Sequence, residues 1–373
     1  MLVLLAGGLG LVFRSLRPPS TVVRIARYFV LELCVLAVSI GGVWLSMGRF
    51  ASALAARSGA GRPALAALSP RASFSLPQTE LAEEAAGTFL GMSDELLLAR
   101  IRSQPIVRAK VNKGGSSLSF RLDFADGSRA AFKPAQTNLQ TIPRKEVAAY
   151  RLNRLLGLNA VPPAAPRAVS REDLLAHLNE ESLGQVPRIQ AETIFQSTGV
   201  TLGAVSYWVP AIKDSMLDGP EAVRESLRWL TQGEPIPPEK ARLAAQISDL
   251  VVFDFLTSNP DRYSGGNMLM SPDGEKLYFM DNTLAFFVSS DAKETNRKML
   301  AVTQRFSRRL YKALPRVFEA SLRGAFEAEP GVSASTVLTD AELGAVVARR
   351  RHVQRHIDGL IEQFGAEAVL CFP

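Results

Sequence analysis

"DFLTSNPDRYSGGNMLM", Asp254 to Met270, followed by "YFMDNTLAFF", Tyr278 to Phe287, decides how this chain folds. An apolar run long enough for a buried helix stops at Asn259-Pro260, because proline cannot continue a helix and restricts the residue before it. The chain then turns through Gly265-Gly266, enters a short apolar strand, and reaches a second apolar strand that ends at Asp281. Two carboxylates and an amide, Asp261, Asp281 and Asn267, are thereby set on turns between short hydrophobic elements. Polar side chains on such turns read as a site, since a packed core has no use for them there.

Upstream, the pattern changes to strands. "IVRAKV" (106–111), the turn "NKGG", the alternating "SLSFRLDF" (117–124), the turn "ADG" and "RAAFKP" (129–134) predict a three-stranded antiparallel meander. Its first turn carries Gly114, Gly115 and Ser116, and its third strand ends with Lys133. "IPRKEVAAYRLNRLLGL" (142–158) has the apolar spacing of an amphipathic helix with Glu146 in its first turn, and "VPPAAP" stops it. Residues 170–200 read as an insertion with one capped helix, "SREDLLAHLN". "GAVSYWVPAI" (203–212) reads as a buried strand ending in a proline turn. Beyond residue 211 the pattern is helical except for the opening stretch, which supplies a two-stranded ribbon. A helix is expected from Thr79 through "TELAEEAAGTFLG", and a second one, capped by Ser93, over "SDELLLARIRS".

The order of these parts carries a chemistry. Backbone N–H groups in a Gly-rich turn can approach phosphates closely, a lysine positions them, and a glutamate holds the lysine. A loop aspartate accepts the proton of an attacking hydroxyl, and a strand-end aspartate with an asparagine binds a metal ion. The candidates are Gly114, Gly115 and Ser116 for the phosphates, Lys133 with Glu146, Asp261 as base, and Asp281 with Asn267 for Mg2+ or Mn2+. Each signal alone has a plain structural explanation: a hairpin turn, a surface lysine, a helix stop. Thirteen residues from Lys133 to Glu146, and twenty from Asp261 to Asp281, fit the intervening strand exit, loop and ribbon.

In "AFKP", "RKEVAAYRLNRLLGLNAVPP", "DLVVFDFLTSNPDR" and "YFMDNTLAFF" the chain resembles the secretory-pathway kinases of the Golgi casein kinase and four-jointed type, over residues 105–373. The resemblance implies an α+β, two-lobed atypical protein-kinase-like fold, with a small antiparallel-sheet N-lobe and a mostly helical C-lobe. It also implies ATP-dependent phosphorylation of a protein Ser/Thr or glycan hydroxyl outside the cytosol. Lys133 would contact the phosphates, Glu146 would pair with it, Asp261 would be the base and Asp281 the metal ligand. Tyr207 and Val209, in the segment joining the lobes, would lie by the adenine. Tyr263 stands where the family often has His, Asn267 lies one residue later than usual, and Thr283 replaces a glycine. The luminal disulfides of the family have no counterpart in Cys34 and Cys371, which suggests a bacterial relative. The rival readings are a sugar or lipid head-group kinase and a nucleotide-binding pseudokinase scaffold.

The rest of the chain sets the context. At 373 residues, 47% hydrophobic and 21% charged, it is long and apolar enough for a sizeable core. Tyr28 to Met47 has the length of a membrane span, with Arg14, Arg17, Arg24 and Arg27 before it. It predicts residues 1–27 in the cytoplasm, a single-pass signal anchor at 28–47, a flexible tether at 48–78, an N-lobe at 79–204 and a C-lobe at 205–373. The domain would then be extracytoplasmic, periplasmic or luminal; were residues 1–13 also to insert, as a hairpin, it would be cytoplasmic. The net charge of +7 favours acidic partners. The basic runs around Arg305–Lys312 and Arg349–Arg355, with His352 and His356, read as solvated helix faces. No nucleic-acid motif accompanies them, so no nucleic-acid partner is expected.

Overall fold

A computed structural model describes residues 87–328 and 333–373. The expected anchor and tether, and the start of the helix expected from Thr79, lie outside these residues. Among the described residues no helix is long and apolar enough to cross a membrane. The expected helix does not reach Gly91. Thr88–Phe89 (β1) and Met92–Ser93 (β2) form a tight antiparallel hairpin, with Gly87 and Gly91 at φ 80° and 75°, conformations that glycine adopts without steric cost. Ser93 does cap the next helix, α1 (Asp94–Ser103), its hydroxyl accepting the Leu96 N–H at 3.3 Å.

The meander is present as β3 (Ile106–Val111), β4 (Phe120–Phe124) and β5 (Arg129–Pro134). Phe120, Leu122 and Phe124 are buried at alternate positions of β4, as one packed face of a sheet requires. The predicted amphipathic helix is α2 (Arg144–Leu156), and Gly157 ends it in the left-handed region at φ 70°. The proline cluster lies beyond the end of this helix, which Gly157 already stops, and does not lead directly into the insertion. The chain first forms another strand, β6 (Ala164–Ser170). Ser170 then caps α3 (Arg171–Ala176), and α4 (Val186–Glu192) follows. The strand β7 (Val200–Tyr207) crosses residue 204 and closes a five-stranded sheet of order β3-β4-β5-β7-β6. Pro166 is tolerated in β6 because that strand lies at the sheet edge.

The helical part begins after β8 (Lys213–Asp214) with α5 (Pro220–Trp229) and α6 (Ala241–Thr257). Every residue of α6 from Ile247 to Thr257 is buried, so it is the central helix of this lobe. The ribbon after it has three strands, not two. β9 (Met268–Met270) pairs with β10 (Leu277–Phe279) and, on its other edge, with β8. The two residues of β8 are both exposed, so they carry no apolar signal that a sequence pattern could use. The chain ends in α7 (Glu294–Val302), α8 (Arg308–Ala313), α9 (Glu319–Glu327), α10 (Ala334–Val337), α11 (Asp340–Phe364) and α12 (Ala366–Val369).

The solvated reading of the basic runs fails at Arg349, which is fully buried. It lies on the same stripe of α11 as Val346 and Val353, three and four residues away. Its guanidinium donates to the carbonyls of Leu256 at 2.7 Å, Phe287 at 2.9 Å and Ser289 at 2.6 Å. Burial lowers its pKa to about 10. His356 is also drawn inward, with Nε2 3.1 Å from the Thr303 carbonyl oxygen. Arg351 and Arg355 remain exposed.

Candidate active site

Lys133 leaves β5 on the face opposite Phe132, and its ammonium group meets two carboxylates. Nζ lies 2.9 Å from Glu146 Oε1 in the first turn of α2, and 2.6 Å from Asp281 Oδ1 just after β10. The three groups come from a strand, a helix and a loop far apart in sequence, and only the fold brings them together. Burial opposes the charge on Lys133, but attraction to Glu146 and then Asp281 outweighs it and holds the ammonium above its ordinary pKa. Burial likewise pushes Asp281 up, and Lys133 reverses this, holding the carboxyl below its ordinary value.

The signs give a pH window. A raised lysine stabilises the fold fully below its ordinary pKa and loses that contribution as pH rises through the folded value. A lowered aspartate stabilises above its ordinary pKa and loses the contribution as pH falls through the folded value. The difference in unfolding midpoint between wild type and Lys133→Met should therefore be lost as pH rises beyond about 10.5, and should shrink on the acid side, where the buried carboxylates that the variant leaves without a cation take up protons. A difference that stays undiminished at both ends would rule out this pairing.

Asp281 adopts φ 49°, a region uncommon for residues other than glycine. Its neighbours hold it there. Thr283 Oγ1 donates to its Oδ1 at 2.8 Å, and Asn259 Nδ2 donates to its carbonyl at 3.3 Å. Asn282 donates its N–H to Glu146 Oε2 at 3.2 Å, so Glu146 is held from both sides. Lys133 and Thr283 both meet the Asp281 carboxylate at Oδ1. Oδ2 is then available to a hard divalent cation, for which carboxylate and amide oxygens are suitable donors. Among the described residues no three His, Cys, Asp or Glu side chains are grouped to hold a metal. A cation on Asp281 and Asn267 would need phosphate oxygens to complete its shell, as Mg2+ commonly does.

Asp261 lies on the turn after α6. Asn267 Nδ2 donates to its carbonyl at 2.7 Å and to its Oδ2 at 3.3 Å. The two glycines between them stand at φ 99° and 74°, which lets the loop turn back far enough for this contact. Asn259, fully buried, does more than stop a helix. It accepts the Asp261 N–H on Oδ1 at 3.1 Å while Nδ2 serves the Asp281 carbonyl. One side chain thus ties the loops of both carboxylates together. Arg262 and Asp254 form a pair that the sequence pattern does not announce. Arg262 Nη2 meets Asp254 Oδ1 at 3.0 Å and Asn282 Oδ1 at 2.8 Å, and Nη1 meets the carbonyls of Asn267, at 2.9 Å, and Met280. A lone aspartate between Phe253 and Phe255 in an apolar helix is the available signal, because a buried carboxylate needs a cation.

Gly114, Gly115 and Ser116 form the exposed tip of the β3–β4 hairpin, with both glycines at positive φ. Gln136 pins the base of this hairpin, exchanging two 2.9 Å hydrogen bonds with the backbone of Leu118. The structure does not tie the tip to the Lys133 cluster as it ties Glu146 and Asp281. Val209 packs with Phe89, Leu97 and Tyr278 in a small second core, against which Tyr207 and Met280 also rest. The segment after β7 is thereby linked to the residue preceding Asp281.

Gly203 sets how closely β7 approaches β5. A Cβ there would lie 2.4 Å from the Lys133 carbonyl oxygen and 2.5 Å from the Phe132 ring. Gly203→Ala must push β7 away from β5, and should cost roughly 1–3 kcal/mol as an overpacked core does. Gly184→Ala, where a Cβ meets nothing within 4 Å, is the control. Equal thermal midpoints for the two variants would refute the close approach.

Similarity to known proteins follows the same outline. The chain is 26% identical over 227 residues to the Drosophila melanogaster extracellular serine/threonine protein CG31145, a match covering 46% of this chain and 42% of that protein. The chain thus spans less than half the length of this relative. It is 23% identical over 313 residues to the human glycosaminoglycan xylosylkinase, covering 72% of this chain and 75% of that one. Among solved structures, the Golgi casein kinase with Mn/ADP bound superposes with a TM-score of 0.56 at 17% identity, covering 74% of this chain and 78% of that chain. That likeness establishes a kinase fold with a sheet-rich N-lobe and a helical second part. The family model for the Four-jointed box protein middle domain matches residues 94–314, more than half of the sequence, and the chain belongs to that family.

Proposed function

We propose that this chain is an ATP-dependent kinase that transfers the γ-phosphate to a hydroxyl of a protein Ser/Thr acceptor. The observation that carries the reading is Lys133, held 2.9 Å from Glu146 and 2.6 Å from Asp281 on three separate elements. In this reading Lys133 holds the nucleotide phosphates and Glu146 keeps it in place. Asp281, with Asn267, holds the cation, and the turn at Gly114, Gly115 and Ser116 covers the phosphates. Bound ATP with Mg2+ or Mn2+ supplies the phosphoryl group and neutralises its charge. Asp261 faces the acceptor and takes its proton. Tyr207, half-buried against the small apolar core that Val209 helps to form, offers an apolar surface to the base. Until a nucleotide arrives, the Lys133–Asp281 contact compensates both charges.

A sugar hydroxyl is the second reading of the acceptor, favoured by the wider span of the xylosylkinase match. Anchoring through Tyr28–Met47, with the domain beyond the membrane, is part of the proposal. It rests on the length of that run and its basic flank; reporter fusions after Arg62 and at the C-terminus should both report the extracytoplasmic side.

The direct test is calorimetric titration with ATP and Mn2+ or Mg2+, beside transfer from labelled ATP to a serine-containing protein and to a xylose-containing glycan. Wild type should bind nucleotide only with the cation, and Lys133→Met and Asp281→Ala should each lose most of that binding. Binding without transfer to either acceptor would make the chain a pseudokinase scaffold; no binding would overturn the kinase reading.

A further inference from the structure

Three consecutive residues at the start of α2 face two different parts of the fold. Glu146 goes to Lys133 and Asn282. Arg144 and Lys145 go instead to Glu342, at the N-terminus of α11. Arg144 presents its planar fork: Nη1 meets Glu342 Oε2 at 2.7 Å, and Nη2 meets Oε1 at 3.0 Å. Nη1 also donates to the Val337 carbonyl at 2.8 Å. Lys145 Nζ stands 3.9 Å from Glu342 Oε1 and 5.3 Å from the centre of the Phe287 ring. Glu342 is only 5% exposed, and its Oε2 also accepts the Thr339 N–H at 2.8 Å as half of a capping box. The carboxylate is therefore fixed by its own helix before Arg144 reaches it.

The other end of this link is fixed less firmly. α2 starts after Pro143, which offers no side-chain cap, and its entry is tied to the Asp281 loop by a single long hydrogen bond, from the Ile142 N–H to the Thr283 carbonyl at 3.4 Å. Its apolar face, Val147, Tyr150 and Leu152, sets which way the helix faces but not how far its first turn lies from Lys133. A bidentate guanidinium–carboxylate pair does set a distance and an orientation. We infer that the Arg144–Glu342 ion pair is a positioning device, seating the first turn of α2 on α11 so that Glu146 stays on Lys133. Arg144 and Glu342 are positioning residues: neither touches the groups assigned to nucleotide or acceptor. The seat belongs to the chain itself, so the active arrangement of α2 is its resting one.

The inference takes its functional meaning from the kinase reading, so its test uses no nucleotide. Trace acetylation by acetic anhydride, read residue by residue by mass spectrometry, reports how freely the Lys133 amine is exposed when its partners release it. Lys298, on the surface, serves as reference. Arg144→Met and Glu342→Gln should each raise the Lys133 rate roughly 2- to 30-fold, the span of couplings carried through packed side chains. The double variant should be no faster than the faster single one, and Arg144→Lys, which keeps charge but loses the fork, should fall between. Glutamine preserves the capping box at 342, so α11 should stay folded. Backbone hydrogen exchange in α6 separates seating from general loosening and should remain at the wild-type level. Unchanged Lys133 rates in both single variants would overturn the inference, and so would α6 exchange that rises in step with them. Should wild type bind no nucleotide, the kinase reading falls while the labelling result still decides the seat.

Discussion

Asp261→Ala should lower phosphoryl transfer by roughly 10²–10⁴-fold, the usual worth of a general base, while cation-supported nucleotide binding stays near wild type. The split follows from the site's wiring. Asp281 is ion-paired with Lys133, so removing it disturbs the groups assigned to the nucleotide. The Asp261 side chain meets Asn267 instead, and its loop is held through backbone atoms by Asn259 and Asn267. Truncation should therefore leave the loop in place and remove only the proton acceptor. Labelled-ATP transfer and nucleotide calorimetry on the same preparation measure both quantities. Transfer at the wild-type rate would withdraw Asp261 from the base role; loss of nucleotide binding would mean that it serves the cation instead. Asn267→Ala makes a useful companion. It should slow transfer less if its main task is orienting Asp261, and weaken Mn2+-supported binding if its amide oxygen holds the ion.

The sequence reveals the polar residues of the site better than it reveals what holds them. Lys133, Glu146, Asp261, Asn267 and Asp281 stand out because each sits where an apolar pattern ends and a polar group has no packing reason to be. The meander, α2 and α6 are legible from period and punctuation, and β7 from its apolar run. β6 is hidden because Pro166, with Pro162 and Pro163 just before the strand, reads as a stop, although an edge strand tolerates it. β8 is hidden because two exposed residues have no period. Gly87 and Gly91 carry a readable warning against a helix drawn through them. Arg349 defeats the pattern because charge in a sequence points to solvent; only the three-dimensional path of α11 shows that carbonyls replace the water. Asn259, Asn282 and Glu342 act through partners up to 198 residues away, and spacing along one chain holds no trace of such pairs.

Arg262→Met should destabilise the fold more than any other substitution proposed above. The Arg262 side chain is fully buried and that of Asp254 only 3% exposed. Removing the cation leaves a carboxylate in the core with no compensating charge, which costs roughly 3–5 kcal/mol when a buried pair is broken from one side. Burial already pushes Asp254 above its ordinary pKa, with Arg262 opposing the rise. Without Arg262 the carboxyl should take up a proton, which limits the loss without restoring the hydrogen bonds. Those bonds matter beyond stability. Arg262 donates to the Asn267 and Met280 carbonyls and to Asn282 Oδ1, so it joins α6, the Asp261 loop and the strand leading to Asp281. Arg262→Lys keeps the charge but cannot span these acceptors with a single ammonium. It should recover part of the denaturation midpoint and little of the cation-supported nucleotide binding. The double change Arg262→Met with Asp254→Leu removes both charges and should be more stable than Arg262→Met alone, because no ion is left buried. Urea denaturation of the three variants decides the matter. If the double variant proves less stable than Arg262→Met, the unpaired carboxylate is not the source of the loss, and the hydrogen bonds to the loop carbonyls are.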